Sequence, residues 1–364
     1  MIKNYPMSKI YLSIFWILTF LLCGCQVSEA VSLPTSSPPT QKRTATSVEQ
    51  PTILPSRTSE PTPTYEALIL GDQKITLMAV GDIMLGRTIG EMIETEGAQA
   101  PFFYTAETLS TADITLGNLE CPISSRGHAE EKTYAFRAPV SSAESLALAG
   151  FDVVSLANNH TLDYGIEALE DTLNILTEHQ IGTVGAGLVE STAYAPLFME
   201  VEGLKVALLA FADIPTTDYD YLAWEAGPEK PGIAWAHPEK VQKKITAAKN
   251  LADVVIVLVH NGFEIVQTVS KSQQDFAHLA IDSGASLVIG SHPHVLQRIE
   301  GYNGGLIVYS MGNFVFDNFL FPPNYSAILK VELSPNGVET YELIDVVVQL
   351  NGVPQIMPYD FPED

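Results

Sequence analysis

From Leu68 onward, short runs of successive apolar residues alternate with segments whose apolar positions recur every three to four residues. The runs Lys74–Val80, Ile114–Asn118, Asp152–Ala157, Lys205–Phe211, Asp253–His260, Ser286–Gly290 and Gly305–Ser310 predict strands. Several are apolar at consecutive positions, as strands covered on both faces are. Helical spacing occupies Ser142–Ala149, Ile166–His179, Pro238–Asn250 and Ser272–Ser283. This alternation predicts an α/β layered domain. Two late segments, Ser326–Leu333 and Thr340–Leu350, flank Asn336-Gly337, a hairpin turn signal, so the domain is expected to close with antiparallel strands. No internal repeat is visible.

The first 67 residues follow none of these patterns. Lys3 and Lys9 precede a 13-residue apolar run, Ile10–Leu22, which suits the core of an export signal better than a membrane span of ~20 residues. The run ends in Leu22-Cys23-Gly24-Cys25, which resembles a bacterial lipobox and makes Cys25 the expected lipidation site. Residues 26–67 are rich in Ser, Thr and Pro and cannot bury enough apolar surface to offset their chain entropy, so a tether is expected there. The expected organisation is a lipoprotein signal peptide over 1–25, a disordered tether over 26–67 and one folded domain over 68–364. The expected location is the outer face of the bacterial cytoplasmic membrane, reached through the lipid anchor. Removal of Cys23 and lipidation of Cys25 leave Cys121 without a partner, so no disulfide is expected.

Composition narrows the function classes. With 46% hydrophobic and 17% charged residues the chain can bury a sizeable core. Acidic residues outnumber basic ones 43 to 19, a formal charge of -24, which disfavours nucleic acid as a partner. An anionic substrate must then be held by local positive charge, from a metal or a few basic side chains.

Candidate chemistry collects just after the predicted strands. GDIMLGR supplies Asp82 and Arg87; GNLE supplies Asn118 and Glu120; NNHTLDYG supplies Asn158, Asn159, His160 and Asp163. HNGFE supplies His260 and Glu264, and SHPHV supplies His292 and His294. A Gly-Asp after a strand is ordinarily a turn, and His-Pro-His is ordinarily an exposed loop. Five polar clusters at the same end of five strands outweigh those readings, because such ends converge on one crevice in an α/β sheet. The resulting set of carboxylates, an amide oxygen and imidazoles contains no thiolate and suits Mn, Fe or Zn. Alternation along an extended segment is expected to point His292 and His294 to the same side, and Pro293 stiffens the turn between them.

Over Ile75 to Phe316 these motifs, with NLECPI, FRAP and YSMGNFVFD, resemble the CapA family of capsule and poly-γ-glutamate synthesis proteins, a branch of the calcineurin-like metallophosphoesterase superfamily. The resemblance implies a four-layer sandwich, with helices outside two central mixed β-sheets, and two divalent metal ions at the sheet edge. By motif, Asp82 and His294 would serve the first ion, Glu120 would bridge, and Asn159, His260 and His292 would serve the second. His160 would be the catalytic imidazole, oriented by Asp163. The superfamily opens with Asp-x-His, whereas Met84 occupies the His position here, leaving the first ion one ligand fewer. Asn261 and Ile265 stand where the family carries aromatic residues, which alters the expected pocket wall.

Arg87 and Arg137 are expected to face an anionic substrate through their planar donor forks, with Asn118 and Glu264 completing the substrate-binding set. The implied activity is hydrolysis of a phosphoester. The alternatives are cleavage of an amide-linked γ-glutamyl polymer, since two-metal sites also cleave peptides, and a non-catalytic component that binds or exports an anionic polymer. Membrane polymer-synthase subunits are the expected protein partners.

Overall fold

Runs that are apolar on both parities become strands packed on both faces. In the computed structural model, residues 73–215, 219–317 and 322–357 are described, all within the unit Glu66–Asp364. The expected signal peptide, Cys25 and the tether lie outside the described residues.

Sixteen strands are present among the described residues. They are β1 (Ile75–Ile83), β2 (Ile114–Leu119), β3 (Val153–Ser155), β4 (Gly182–Val184), β5 (Ala186–Gly187), β6 (Leu197–Val201), β7 (Leu204–Asp213) and β8 (Gly232–Ile233). The second half supplies β9 (Val254–Asn261), β10 (Leu287–Ser291), β11 (Ile299–Tyr302), β12 (Gly305–Val308), β13 (Asn313–Val315), β14 (Tyr325–Ser334), β15 (Gly337–Val348) and β16 (Pro354–Ile356). The α-helices are α1 (Arg87–Glu96), α2 (Ala106–Leu109), α3 (Ser142–Leu148), α4 (Gly165–Glu178), α5 (Glu190–Ala193), α6 (Pro238–Lys249) and α7 (Lys271–Asp282).

The first sheet runs β16-β15-β14-β1-β2-β3-β4, with β13 also paired to β1. Its β1 to β4 are parallel and its β14 to β16 antiparallel. The second sheet runs β11-β12-β10-β9-β7-β6, parallel at its centre and antiparallel at both edges. A two-stranded ladder, β5-β8, stands apart.

The second sheet shows why its strands are continuously apolar. On β7, Val206, Leu208, Ala210 and Ala212 enter one core, and Ala207, Leu209 and Phe211 enter another. On β9, Val254, Ile256 and Leu258 alternate with Val255, Val257 and Val259 in the same way. The first core is shared with the first sheet and with Ile89, Leu146, Leu169 and Leu176 of α1, α3 and α4. The second is closed by Val241 and Ile245 of α6 and Phe276 and Ala280 of α7. Each such Val, Leu or Ile contributes roughly 1.5–3 kcal/mol on burial.

Several elements differ from the sequence expectation. Helix α1 lies in GRTIGEMIETE, where few apolar residues mark the buried face of Ile89, Gly90 and Ile93. Strand β3 is shorter than Asp152–Ala157, because Asn158 N–H bonds the Leu156 carbonyl and turns the chain. The expected closing hairpin forms, with Ser334 opposite Gly337 and Gly337 at φ 108°.

Candidate metal centre

Strand pairing brings the clusters together. Asp82 on β1 stands in register with Asn118 on β2 and with Asn313 on β13. The close approach of β13 requires Gly81: a Cβ there would lie 1.9 Å from the Gly312 carbonyl oxygen. In the second sheet His260 at the end of β9 is opposite Ser291 at the end of β10.

Asp82, Glu120, Asn159, His160, Asp163, His260, His292 and His294 are all buried. Among the described residues Asp82, Glu120 and His260 offer ligand atoms that all lie within 4.8 Å of one another. Glu120 Oε1 is the centre of a wider set: a ring nitrogen of His160, of His260 and of His294 each lies 3.8 Å from it. Neither oxygen of Glu120 accepts a hydrogen bond, and His292 Nδ1 is likewise buried without a partner. A buried carboxylate with no donor is costly. A cation removes that cost, and imidazole nitrogens and carboxylate oxygens converging on one point are the donors a divalent transition metal takes. The residues present therefore fit a metal. Cys121 adds no thiolate to the set, since burial first, and the nearby Asp163 and Glu120 charges with it, push its thiol up to about 12.

Three of the ligand candidates, Asp82, His260 and His294, are aimed by neighbours. Asn118 Nδ2 donates to Asp82 Oδ1 at 2.8 Å and lies 3.2 Å from His260 Nδ1, while Asn158 Nδ2 donates to Asn118 Oδ1 at 3.0 Å. His260 Nδ1 meets Ser291 Oγ at 2.9 Å, which leaves Nε2 toward Asn159 Oδ1 at 2.8 Å and toward Glu120. His294 Nδ1 meets Asn313 Oδ1 at 2.8 Å, leaving Nε2 toward Glu120. Such partners on the far nitrogen fix ring orientation at metal sites.

The His-Pro-His turn is not extended. His292 has φ 97° and His294 φ 56°, both left-handed, a conformation non-glycine residues adopt at a cost. The turn lets His292 N–H donate to Asp82 Oδ2 at 3.2 Å, and the two rings end 6.2 Å apart. Backbone reversal, not strand alternation, brings both rings to the cluster.

Electrostatics divides the two central carboxyls. Burial and the adjacent Asp82 charge drive Glu120 well above the carboxylate range. Burial works on Asp82 in the same direction, but hydrogen bonds from His294 and Asn118 and the charge of His294 hold it below that range. Burial pushes His160 down to about 4, and the Lys132 charge adds to this against the opposing pull of Asp163. Burial, then the charge of His294, takes His292 down to about 3.

His160 Nδ1 lies 2.7 Å from Asp163 Oδ2, and the ring stacks on Phe136 with centroids 4.2 Å apart. Asn159, His160 and His292 open onto a cavity of 250 Å³ that is also lined by Lys132, Tyr134, Tyr221, Phe263 and Glu264. Of the expected substrate-binding residues, Glu264 alone lines this cavity, as an exposed side chain at its wall. Asn118 is buried and committed to the hydrogen bonds above. Arg87 pairs with Asp317 and lies 4.6 Å over the Phe136 ring, behind His160. Arg137 lies 4.2 Å over Tyr164 and donates to the Arg126 carbonyl. The cation at the cavity wall is Lys132, which nothing in the charged run Glu130-Glu131-Lys132 singles out. Asn313 was visible only as part of YSMGNFVFD, with no sign that it meets His294.

Residues 76–318 match the family described as bacterial capsule synthesis protein PGA_cap. The PGA biosynthesis protein CapA of Bacillus subtilis (strain 168) is 33% identical over 278 residues, covering 76% of this chain and 72% of that protein. The capsule biosynthesis protein CapA of Bacillus anthracis is 32% identical over 290 residues, covering 76% and 68%. A "Probable polyglutamine synthesis accessory protein" of Mycobacterium tuberculosis is 29% identical over 217 residues, 57% of each chain. With the match spanning β2 to β13, the buried carboxylates and the histidines of the cluster, the chain belongs to the family of bacterial capsule synthesis proteins, PGA_cap.

Proposed function

We propose that this protein is a metal-dependent hydrolase of a phosphoester, working in the synthesis or export of a capsule polymer of the poly-γ-glutamate type. On this reading the two sheets and their flanking helices are a four-layer metallophosphoesterase-like sandwich. Cys25 anchors it to the outer face of the cytoplasmic membrane, beside membrane polymer-synthase subunits. The observation that carries the proposal is Glu120: a fully buried carboxylate with no hydrogen-bond donor, ringed by three imidazoles of which one, His160, lines a cavity. Asp82 and His294 would hold one divalent ion and Asn159, His260 and His292 a second, with Glu120 shared. Bound there, such ions supply Lewis-acid polarisation and a nucleophile active near neutral pH.

The chain's own residues supply the proton transfer. In the neutral ring His160 Nδ1 carries its proton toward Asp163, so Nε2 is the free basic position, directed to Glu120 and the cavity. Nε2 can take a proton there and return it to a departing oxygen. Asp163 holds the ring in that orientation and is held in turn by Phe136 N–H at 2.6 Å.

A second reading, cleavage of an amide in a γ-glutamyl polymer, is favoured by Glu264. A carboxylate on the cavity wall repels phosphate and attracts a free amino group. Purified full-length protein with Mn²⁺ and bis(p-nitrophenyl) phosphate tests the first reading: turnover that falls at least 100-fold in His160→Ala supports it. Turnover of γ-glutamyl p-nitroanilide in its place selects the second. Metal binding with turnover of neither overturns both in favour of a polymer-binding role.

A further inference from the structure

Lys132 is used by none of the roles above, yet its side chain is only 3% exposed and it reaches the heart of the site. Its Nζ lies 2.6 Å from Asp163 Oδ1, donates to the Asn159 carbonyl oxygen and stands 3.4 Å from His160 Nδ1. The ammonium is also 5.0 Å from the Tyr221 ring centroid, 5.1 Å from Trp224 and 5.9 Å from Tyr219. Burying an ammonium is costly unless it is paired and hydrogen-bonded. Here it is met by one carboxylate, one carbonyl and three aromatic faces, each a favourable partner for a cation.

We infer that Lys132 is a positioning residue that locks Asn159 and His160 onto the metal cluster. The geometry is a clamp. Asn159 is held through its side chain, with Oδ1 2.8 Å from His260 Nε2, and through its own carbonyl by Lys132. Asp163 is held by Lys132 at Oδ1, and at Oδ2 by Phe136 N–H and the His160 ring. One ammonium thus couples the peptide that aims the Asn159 amide to the carboxylate that aims the His160 imidazole. Two consecutive residues with different tasks are fixed in one relation to Glu120. The aromatic cage extends the coupling to Tyr221 on the cavity wall. Arg87 does not substitute for this cation, because its guanidinium is committed to Asp317.

The inference rests on the reading of the cluster as a metal centre, and the experiment separates the two. Full-length protein is titrated with Co²⁺ by calorimetry, and the visible band of the bound Co²⁺ is recorded as a report on ligand geometry. Wild-type protein that binds no Co²⁺ overturns the metal reading before any variant is compared. With binding established, Lys132→Met is expected to weaken Co²⁺ binding about 10–100-fold and to alter the band, the usual effect of losing an outer-shell partner. Lys132→Arg, which keeps the charge, is expected to restore most of the affinity. Binding within twofold of wild type and an unchanged band in folded Lys132→Met overturn the inference, even if the melting temperature falls. If Lys132→Met does not fold, Lys132→Gln keeps a donor, on a stem one atom shorter, without the charge. The same spectral change is expected there, and a wild-type band overturns the inference.

Discussion

Glu120→Gln should make the metal-free protein more stable while abolishing its response to metal. In the wild type, both Glu120 oxygens are buried without a donor and the neighbouring Asp82 repels the ionised form. A buried unsatisfied polar group costs about 1–3 kcal/mol. The carboxamide is isosteric and removes the like charge, and its NH₂ can donate toward the ring nitrogens that surround Oε1 at 3.8 Å. Relief of about 1–2 kcal/mol follows, since the Gln carbonyl stays unpartnered, and this is a rise of roughly 2–8 °C in Tm for a domain of this size. The wild type should instead gain about 2.7 kcal/mol from Mn²⁺ at a hundredfold excess over Kd, a rise of roughly 5–11 °C. Thermal unfolding of both proteins in chelator and in Mn²⁺, followed by circular dichroism, gives the four values needed. A variant that melts at or below the wild type in chelator refutes the strain assigned to Glu120. An equal Mn²⁺ shift in both proteins refutes its place among the ligands.

Other outcomes follow from single contacts. Asn313→Ala frees His294 Nδ1 from its 2.8 Å partner, and Mn²⁺ affinity by calorimetry should fall about 10–100-fold; an unchanged affinity removes Asn313 from the site. Cys121, buried and with its thiol pushed up to about 12, should not react with a disulfide reagent at pH 8 until the protein is unfolded in urea; rapid labelling of the folded protein contradicts this. Hydrogen bonds from Arg126 and Ser124 hold Asp171 below the usual carboxylate range. A depressed carboxyl stabilises the fold above its unfolded pKa, and that contribution is lost as pH falls through the folded pKa. Acid titration of stability should therefore be shallower in Asp171→Asn than in wild type, and superimposable curves would contradict the assignment.

Much of the candidate site was legible because the residues gathered there share one local rule. Asp82, Glu120, Asn159, His260 and His292 each stand at or within a few residues of a strand's carboxyl end, and a parallel arrangement brings such ends together. The surroundings of Arg87 and Arg137 were not legible, because a sequence does not say which acid or ring an arginine meets. Asp317 and Phe136 took Arg87, and Tyr164 and the Arg126 carbonyl took Arg137. Lys132 was hidden for the opposite reason. Its neighbours Glu130 and Glu131 mark a solvated run, and only the arrival of Asp163 and the aromatic residues at 219–224 from elsewhere in the chain buries it.

The local order of residues by itself determined which runs became strands, because apolar side chains at both parities have to be covered on both faces, as Val206 to Ala212 are. It also placed the candidate oxygen and nitrogen donors at or near strand ends. Tertiary structure alone decided which atom of each residue faces the centre. The nitrogen that His260 turns toward Glu120 is set by Ser291, 31 residues away, that of His294 by Asn313, and the course of the His-Pro-His turn by the carboxylate of Asp82, 210 residues distant from His292. Orientation depends on partners brought together by folding, and periodicity along the chain carries no information about them.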